Sequence, residues 1–267
     1  MRLIVAVVVI YNTACYDSVT CQALRQLNSD LPVVIYDNST KDYGNQQYCV
    51  DSGWHYLGGL GNVGLSKAYN SCIIYIKEHL DADVVCLFDD DTKIDSQYFD
   101  LLRHAMVDGE SKIFVPLIYS KDTLISPSIL KARYKIVKFE HEQAALSYVG
   151  KELSAINSCM ALDLSLFDCY RYDEEIFLDG IDHKFVADMK THGEQIKVFP
   201  YRCEQAFSGD EKPSPKSALT RFLIFKKDFQ YILGKDKISY IYLVGKRALN
   251  LTLKYKSFEF LHAFFQK

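Results

Sequence analysis

Three times in its first ninety residues this chain runs an apolar stretch straight into a polar cluster. Residues 3–10 lead to Asn12, residues 32–36 to Asp37-Asn38-Ser39, and residues 83–88 to Asp89-Asp90-Asp91. Runs this short, this unbroken and this rich in β-branched residues suit strands covered on both faces. Residues 18–27 and 65–80 between them have helical spacing, and 54–57 read as a further short strand. Such alternation predicts βαβ units and an α/β fold: a mixed, mostly parallel sheet flanked by helices. Ligands of these sheets collect at the carboxyl ends of strands, and all three polar clusters fall there.

Beyond residue 110 the pattern loosens. Residues 113–119, 134–139 and 154–162 have strand composition, 177–182 open a helix that runs to 191, and 196–200 form a short strand. Two prolines, a glycine and several charges make 208–217 a mobile loop or linker. Past it, Phe222, Phe225, Phe229, Ile232 and Leu233 recur at helical spacing. The chain therefore divides into an α/β body over 1–211, with halves meeting near 110, and a helical extension over 212–267. Charge divides at the same point. The extension carries twelve Lys/Arg against three Asp/Glu within a chain of formal net charge -3, so the body is acidic and the tail basic.

The eight cysteines are scattered singly, with no C-x-x-C pair to suggest a zinc ribbon. They read as reduced thiols of a cytosolic protein, with Cys72 and Cys86 packing as small hydrophobes. The apolar stretch 3–10 is short for a signal peptide and no small-residue cleavage site follows it. No stretch approaches the roughly 20 apolar residues of a spanning helix. A soluble protein, or one lying on a membrane surface, is expected.

Asp89-Asp90-Asp91 is the sharpest chemical signal. Three adjacent carboxylates repel each other, and a hard divalent cation would relieve that and bridge to a diphosphate. In extended backbone residues i and i+2 point the same way, so Asp89 and Asp91 would share a ligand while Asp90 points elsewhere. The competing reading is a helix cap at Asp91 or Thr92. Asp37-Asn38-Ser39 suits either an Asx turn or hydrogen bonds to a nucleobase or ribose. Residues 61–70, Gly-Asn-Val-Gly-Leu-Ser-Lys-Ala-Tyr-Asn, are neither a Walker A loop nor G-x-G-x-x-G. They still lead into a helix N-terminus that suits an anion or a ribose. Asp179 and Asp182 stand three apart at a helix start, on one face. They are either a general base near a sugar hydroxyl or acids favoured by the helix dipole. Of seven histidines, His183 is singled out because it adjoins Asp182.

In order, these pieces resemble family 2 of the glycosyltransferases, which has the Rossmann-like GT-A fold. The resemblance covers roughly residues 3–210. It rests on Val9-Ile10-Tyr11-Asn12, Tyr36-Asp37-Asn38-Ser39, Asn62-x-Gly64 with Ala68 and Asn70, Phe88-Asp89-Asp90-Asp91-Thr92, and Phe177-Leu178-Asp179-Gly180-Ile181-Asp182. The last segment is most similar to that of rhamnosyltransferase-like members. The resemblance implies a nucleotide-sugar half to about 110 and an acceptor half over 111–211. It implies a UDP- or dTDP-sugar donor held by Asn12, Asp37, Asn38, Asn62, Gly64 and Lys67. Mg²⁺ or Mn²⁺ would sit on Asp89 and Asp91, with Asp89 and Asp90 beside the ribose or diphosphate. Asp182 would be the base of an inverting transfer, with Asp179 and His183 at the acceptor.

Two departures matter. Many members carry a metal-site histidine near 203–209, where this chain reads Cys-Glu-Gln-Ala-Phe-Ser-Gly. Either Gln205 fills that place or the metal is held more weakly. His183 and Lys184 also stand where rhamnosyltransferase-like members often show a further acid. The family's acceptors are often lipid-linked saccharides of cell-surface polysaccharide synthesis. The expected location is thus cytoplasmic, with the basic tail meeting anionic lipid at the inner membrane face. A helical pair packed on the body is the alternative. A phosphatase of the D-x-D-x-[TV] type is disfavoured by Lys93, and a sugar nucleotidyltransferase by the lack of a basic glycine loop after the first strand. A non-catalytic binding protein is disfavoured by the intact acids, and nucleic-acid binding by the acidic body.

Overall fold

The computed structural model describes residues 2–27, 30–59, 61–205 and 213–266. In chain order the elements are β1 (Ile4–Ile10), α1 (Val19–Gln26), β2 (Val33–Asp37), α2 (Asn45–Ser52), β3 (His55–Gly58), α3 (Leu65–His79), β4 (Val84–Asp89) and α4 (Ser96–Ala105). The second half holds β5 (Ile113–Ser120), β6 (Thr123–Ser126), β7 (Ser128–Lys131), β8 (Lys135–Lys138), α5 (Glu142–Leu146), β9 (Leu153–Ser154), β10 (Met160–Asp163), α6 (Ile181–Thr191) and β11 (Ile196–Glu204). Three helices follow: α7 (Pro215–Ile232), α8 (Lys237–Tyr255) and α9 (Glu259–Phe265).

The main sheet has the order β11-β5-β10-β4-β1-β2-β3, with β6 added on β5. Pairs β1–β2, β1–β4, β2–β3 and β5–β11 are parallel, and β10 runs antiparallel between β4 and β5. This is the mixed, mostly parallel sheet that the alternation predicts. Alternate side chains of the central strands feed two cores. Ala6, Val8, Ile10, Cys86 and Phe88 face α1 and α4 on one side, and Val5, Val7, Val85 and Leu87 face α3 and α6 on the other. Because helices cover both faces, β1 has no polar stripe, which is why its sequence reads as a continuous apolar run. A third core joins α7, α8 and α9 through Phe222, Phe225, Phe229, Val244 and Phe260.

Several boundaries differ from expectation, each for a local reason. The expected strand 154–162 is split into β9 and β10 around Cys159, whose φ of 57° cannot continue a strand. β11 runs on to Glu204, past a register shift between Val198 and Arg202. The helix opened by 177–182 begins only at Ile181, with Gly180 as its N-cap, so Asp179 lies outside it and does not share a helix face with Asp182. Neither Asp91 nor Thr92 caps a helix: α4 is capped by Asp95, which accepts from Gln97 N. All eight cysteines are free thiols, and all but Cys169 are buried. The expected domain boundary at 211/212 and the first part of the 208–217 loop lie outside the described residues.

Candidate active site

Parallel pairing sets the carboxyl ends of β2 and β4 on either side of β1, with Ile10 opposite Asp37 and Val9 opposite Asp89. Asp37 is buried. Its Oδ1 accepts from Ser39 N (2.9 Å), and its Oδ2 from Asn45 Nδ2 (2.9 Å) and Tyr56 OH (3.2 Å). It lines a cleft of about 530 Å³ with Thr40, Tyr56 and Gly61. Asn12 ties β1 to β2, its Oδ1 accepting from Thr40 N and Thr40 Oγ1 at 3.0 Å each.

Asn38 braces the glycine loop. Its Oδ1 accepts from Val63 N (3.0 Å) and its Nδ2 donates to Gly64 O (3.4 Å), while Asn62 Oδ1 accepts from Gly64 N (3.0 Å). Gly64, at φ +87°, is pressed against Phe177: a Cβ there would stand 2.7 Å from the ring and 2.9 Å from the Phe177 carbonyl oxygen. No other residue fits that approach without moving the chain. Asn38, Asn62 and Gly64 line a second cavity, of about 410 Å³, with Tyr11, Asp89, Leu178 and Arg221. Lys67 is exposed on α3, its charge felt by Glu174, and lines none of these cavities.

The aspartate triplet turns out of β4 rather than staying extended, yet its outer members face one group. Gln205 Nε2 donates to Asp89 Oδ2 (2.6 Å) and reaches Asp91 Oδ1 (3.4 Å). The backbone of the turn is pinned by α1. Ser18 Oγ donates to Asp90 O (2.6 Å), and Thr20 Oγ1 donates to Asp89 O (2.5 Å) and Thr92 O (2.9 Å). Burial, and then the charge of Asp91, raise the Asp89 carboxyl, with the Gln205 hydrogen bond opposing. Asp90 points instead toward the Thr13 side chain, and burial plus its two acidic neighbours push it up to about 6.

The donor set fits a hard cation. Among the described residues no group of three His, Cys, Asp or Glu side chains can hold a metal, so Asp89 and Asp91 need oxygen from elsewhere. Gln205 is the residue placed to offer it: its Nε2 meets both carboxylates, and its Oε1 is buried with no hydrogen-bond partner among the described residues. An amide's two ends are interchangeable in shape. Turned over, Gln205 would aim that oxygen between the carboxylates, which is favourable only around a cation.

A third cavity, of about 470 Å³, is lined by Asp89, Tyr69, Ser158, Asp179, Asp182 and His183. Asp182 Oδ1 accepts from His183 N (2.7 Å), and His183 Nδ1 lies 2.8 Å from Ser154 Oγ. Tyr69 is fully buried, and its hydroxyl is raised far above the ordinary range by burial and then by Asp89, Tyr172 and Asp182.

The C-terminal helices complete this wall with residues that the sequence did not single out. Arg221 forks onto Asp179 through Nη1–Oδ2 and Nη2–Oδ1 (the latter 2.8 Å). Asp228, fully buried in α7, accepts from the backbone N–H groups of Phe177, Leu178 and Asp179 at 2.8–2.9 Å. Its signal was present: an acid between Phe225 and Phe229 on the apolar face of a helix.

No protein-family model matches the chain, and no curated protein sequence matches it. Solved structures do. Over 98% of this chain and 56% of the other, the fold superposes on GalNAc-T7 crystallised with UDP, GalNAc and Mn²⁺, with a TM-score of 0.62 at 13% identity. Residues 1–349 of S. aureus TarS superpose over 86% of this chain and 66% of that one, with a TM-score of 0.52 at 14% identity, and TarS 1–349 with UDP gives 0.52 at 12%. The fold is therefore GT-A, and the chain spans between a half and two thirds of the length of these neighbours.

Proposed function

We propose that this chain is an inverting glycosyltransferase that moves a hexosyl or rhamnosyl group from a UDP- or dTDP-linked donor to a saccharide hydroxyl. One observation carries the reading. A single cavity is lined by both Asp89, which sits beside Asp91 and Gln205, and Asp182. Such a pair of acidic groups is what a displacement at a sugar carbon needs: a base for the incoming hydroxyl, and a cation site for the departing diphosphate.

In this reading Asp37 and the Asn38-braced loop hold the nucleoside, and Asn62 and Gly64 lie along the ribose and phosphates. Asp89, Asp91 and Gln205 Oε1 would hold Mg²⁺ or Mn²⁺, which when bound neutralises charge on the leaving diphosphate. Asp182 takes the proton of the acceptor hydroxyl as that oxygen bonds to the anomeric carbon, and the bond from that carbon to the diphosphate oxygen breaks. The GalNAc-T7 structure contains Mn²⁺ and UDP, and one TarS structure contains UDP, which supports this choice of ligands.

A lipid-linked acceptor at the inner face of a membrane, in cell-surface polysaccharide synthesis, is part of the same proposal. Among the described residues no helix is long and apolar enough to cross a membrane. Supporting surface contact, α8 leaves Ile238, Ile241, Tyr242, Leu249 and Leu253 exposed on one side, near exposed Lys235, Lys246 and Lys256.

Calorimetric titration with UDP and dTDP, in Mn²⁺ or EDTA, tests the core of the reading. The expected result is metal-dependent binding that Asp91→Ala weakens at least about tenfold. Failure of the folded protein to bind either nucleotide with metal present would remove it.

A further inference from the structure

The C-terminal helices bring two guanidinium groups to one carboxylate. Arg221 of α7 already fills both oxygens of Asp179. Arg247 of α8 lies 3.9 Å from Asp179 Oδ1, beyond hydrogen-bond reach, with its guanidinium 3.9 Å above the Phe225 ring. Among the described residues it makes no hydrogen bond. Burial and then the charge of Arg221 pull its pKa down, with Asp179 opposing. Arginine does not give up its proton in the working range of a protein. Among the described residues, Arg221, Arg247 and Asp179 therefore keep one surplus positive charge and a fork of unfilled N–H donors.

Both arginines line the cavity that Asp89 and Asp182 also line, so cationic donors from α7 and α8 share one space with the proposed catalytic acids. Asn157 lines the same cavity, is 6% exposed, and has a buried Oδ1 with no partner among the described residues. Tyr134, Phe225 and Phe229 supply an aromatic wall. An unfilled acceptor, a flat apolar wall and an unfilled cation together suit a sugar that carries an anion. Two guanidiniums, one of them without a hydrogen bond among the described residues, offer more donors than a two-oxygen carboxylate fills, which favours phosphate.

Building on the transferase reading, we propose that Arg247, with Arg221 beside it, binds a phosphate group where α7 and α8 line this cavity. The sugar's hydroxyl end is thereby turned toward Asp182. Phosphate has two sources here: the acceptor, as a sugar phosphate or a lipid-linked phosphate, or the donor's diphosphate, because Arg221 also borders the cavity of Asn62 and Gly64.

Calorimetry on the full chain separates them, with glucose 1-phosphate and glucose as probes of protein saturated with UDP and Mn²⁺, and UDP with Mn²⁺ titrated alone. Glucose 1-phosphate is expected to bind at least about tenfold more tightly than glucose. Arg247→Ala should erase that advantage and leave UDP affinity unchanged, and Arg247→Lys should restore only part of it, since lysine keeps the charge and lacks the fork. If Arg247→Ala instead weakens UDP about tenfold, the phosphate bound is the donor's. If neither ligand responds in a variant that melts like the wild type, the proposal is overturned. Wild-type protein that binds no UDP would sink the transferase reading alone, because the glucose 1-phosphate titration run without UDP still reports on Arg247.

Discussion

The two acidic regions of the site treat their carboxylates in opposite ways. At the end of β4 Asp89, Asp90 and Asp91 crowd one another, the outer two share the Gln205 amide, and the first two carboxyls are raised by burial and mutual repulsion. In the 177–182 loop Asp179 is gripped by an arginine fork, and the neighbouring Asp228 takes three backbone N–H groups. One cluster sets carboxylate against carboxylate, and the other sets carboxylate against donors. A carboxylate's meaning thus lies less in its position than in what its surroundings leave unfilled. In the proposed reading the strand-end acids hold a cation, whereas Asp179 and Asp228 tie the 177–179 segment to α7.

Asp182 offers the largest test of that contrast, since it lies next to the supplied region yet is assigned to chemistry. Asp182→Asn should lower turnover of a UDP-sugar by about 10²–10⁴-fold with little change in melting temperature. A turnover loss that merely tracks a fall in melting temperature would move Asp182 to the architectural side. Asp228→Ala should behave in the reverse manner. It strands three part-buried N–H groups and should cost about 3–5 kcal/mol in denaturant unfolding. Asp228→Asn should fall between the two, because one oxygen can still serve Leu178 N and Asp179 N, which share Oδ2.

Asp90 gives a smaller effect with a definite pH signature. Its folded pKa of about 6 stands above the ordinary carboxylate value, so folding takes up a proton between about pH 4 and 6. The charged form therefore costs stability above pH 6, and that cost disappears as the pH falls toward 4. With solvent screening of a half-buried group, Asp90→Asn should stabilise the metal-free protein by about 1–2 kcal/mol at pH 7.5. The gain should vanish at pH 4. An equal gain at both pH values would show that the triplet is not strained. Lys67→Ala, at the bottom of the scale, should change neither UDP affinity nor stability by more than about 0.5 kcal/mol. A clear loss of UDP binding would return Lys67 to the site.

What was legible in the sequence follows the same division. Strands β1, β2 and β4 lie within a residue of their expected bounds, since a strand buried on both faces announces itself as an apolar run. The acids at their ends were legible because nothing local justified them. Helix α2 was not, because Asn45–Ser52 buries only Asn45 and Cys49 and shows no apolar rhythm. Helix α4 was hidden behind the triplet: Asp91 and Thr92 are cap-forming residue types as much as Asp95, the residue that does cap it. Arg221, Arg247 and Asp228 reach the site across about 40 to 70 residues of chain, a distance over which spacing carries no signal. The pairing of Gln205 with Asp89 and Asp91 was open to inference only through the family resemblance, since it spans 116 and 114 residues.

The carboxylate of Asp228 also sets a rule for anyone recombining this fold. The helices beyond residue 213 look like an appendage that could be exchanged between transferases to alter acceptor choice. Yet their buried acid is the partner of three amides in a loop some fifty residues upstream. A chimera that imports foreign helices must bring an acid to that point on the incoming helix, or redesign the loop with it. The unit of exchange is the helix and loop together.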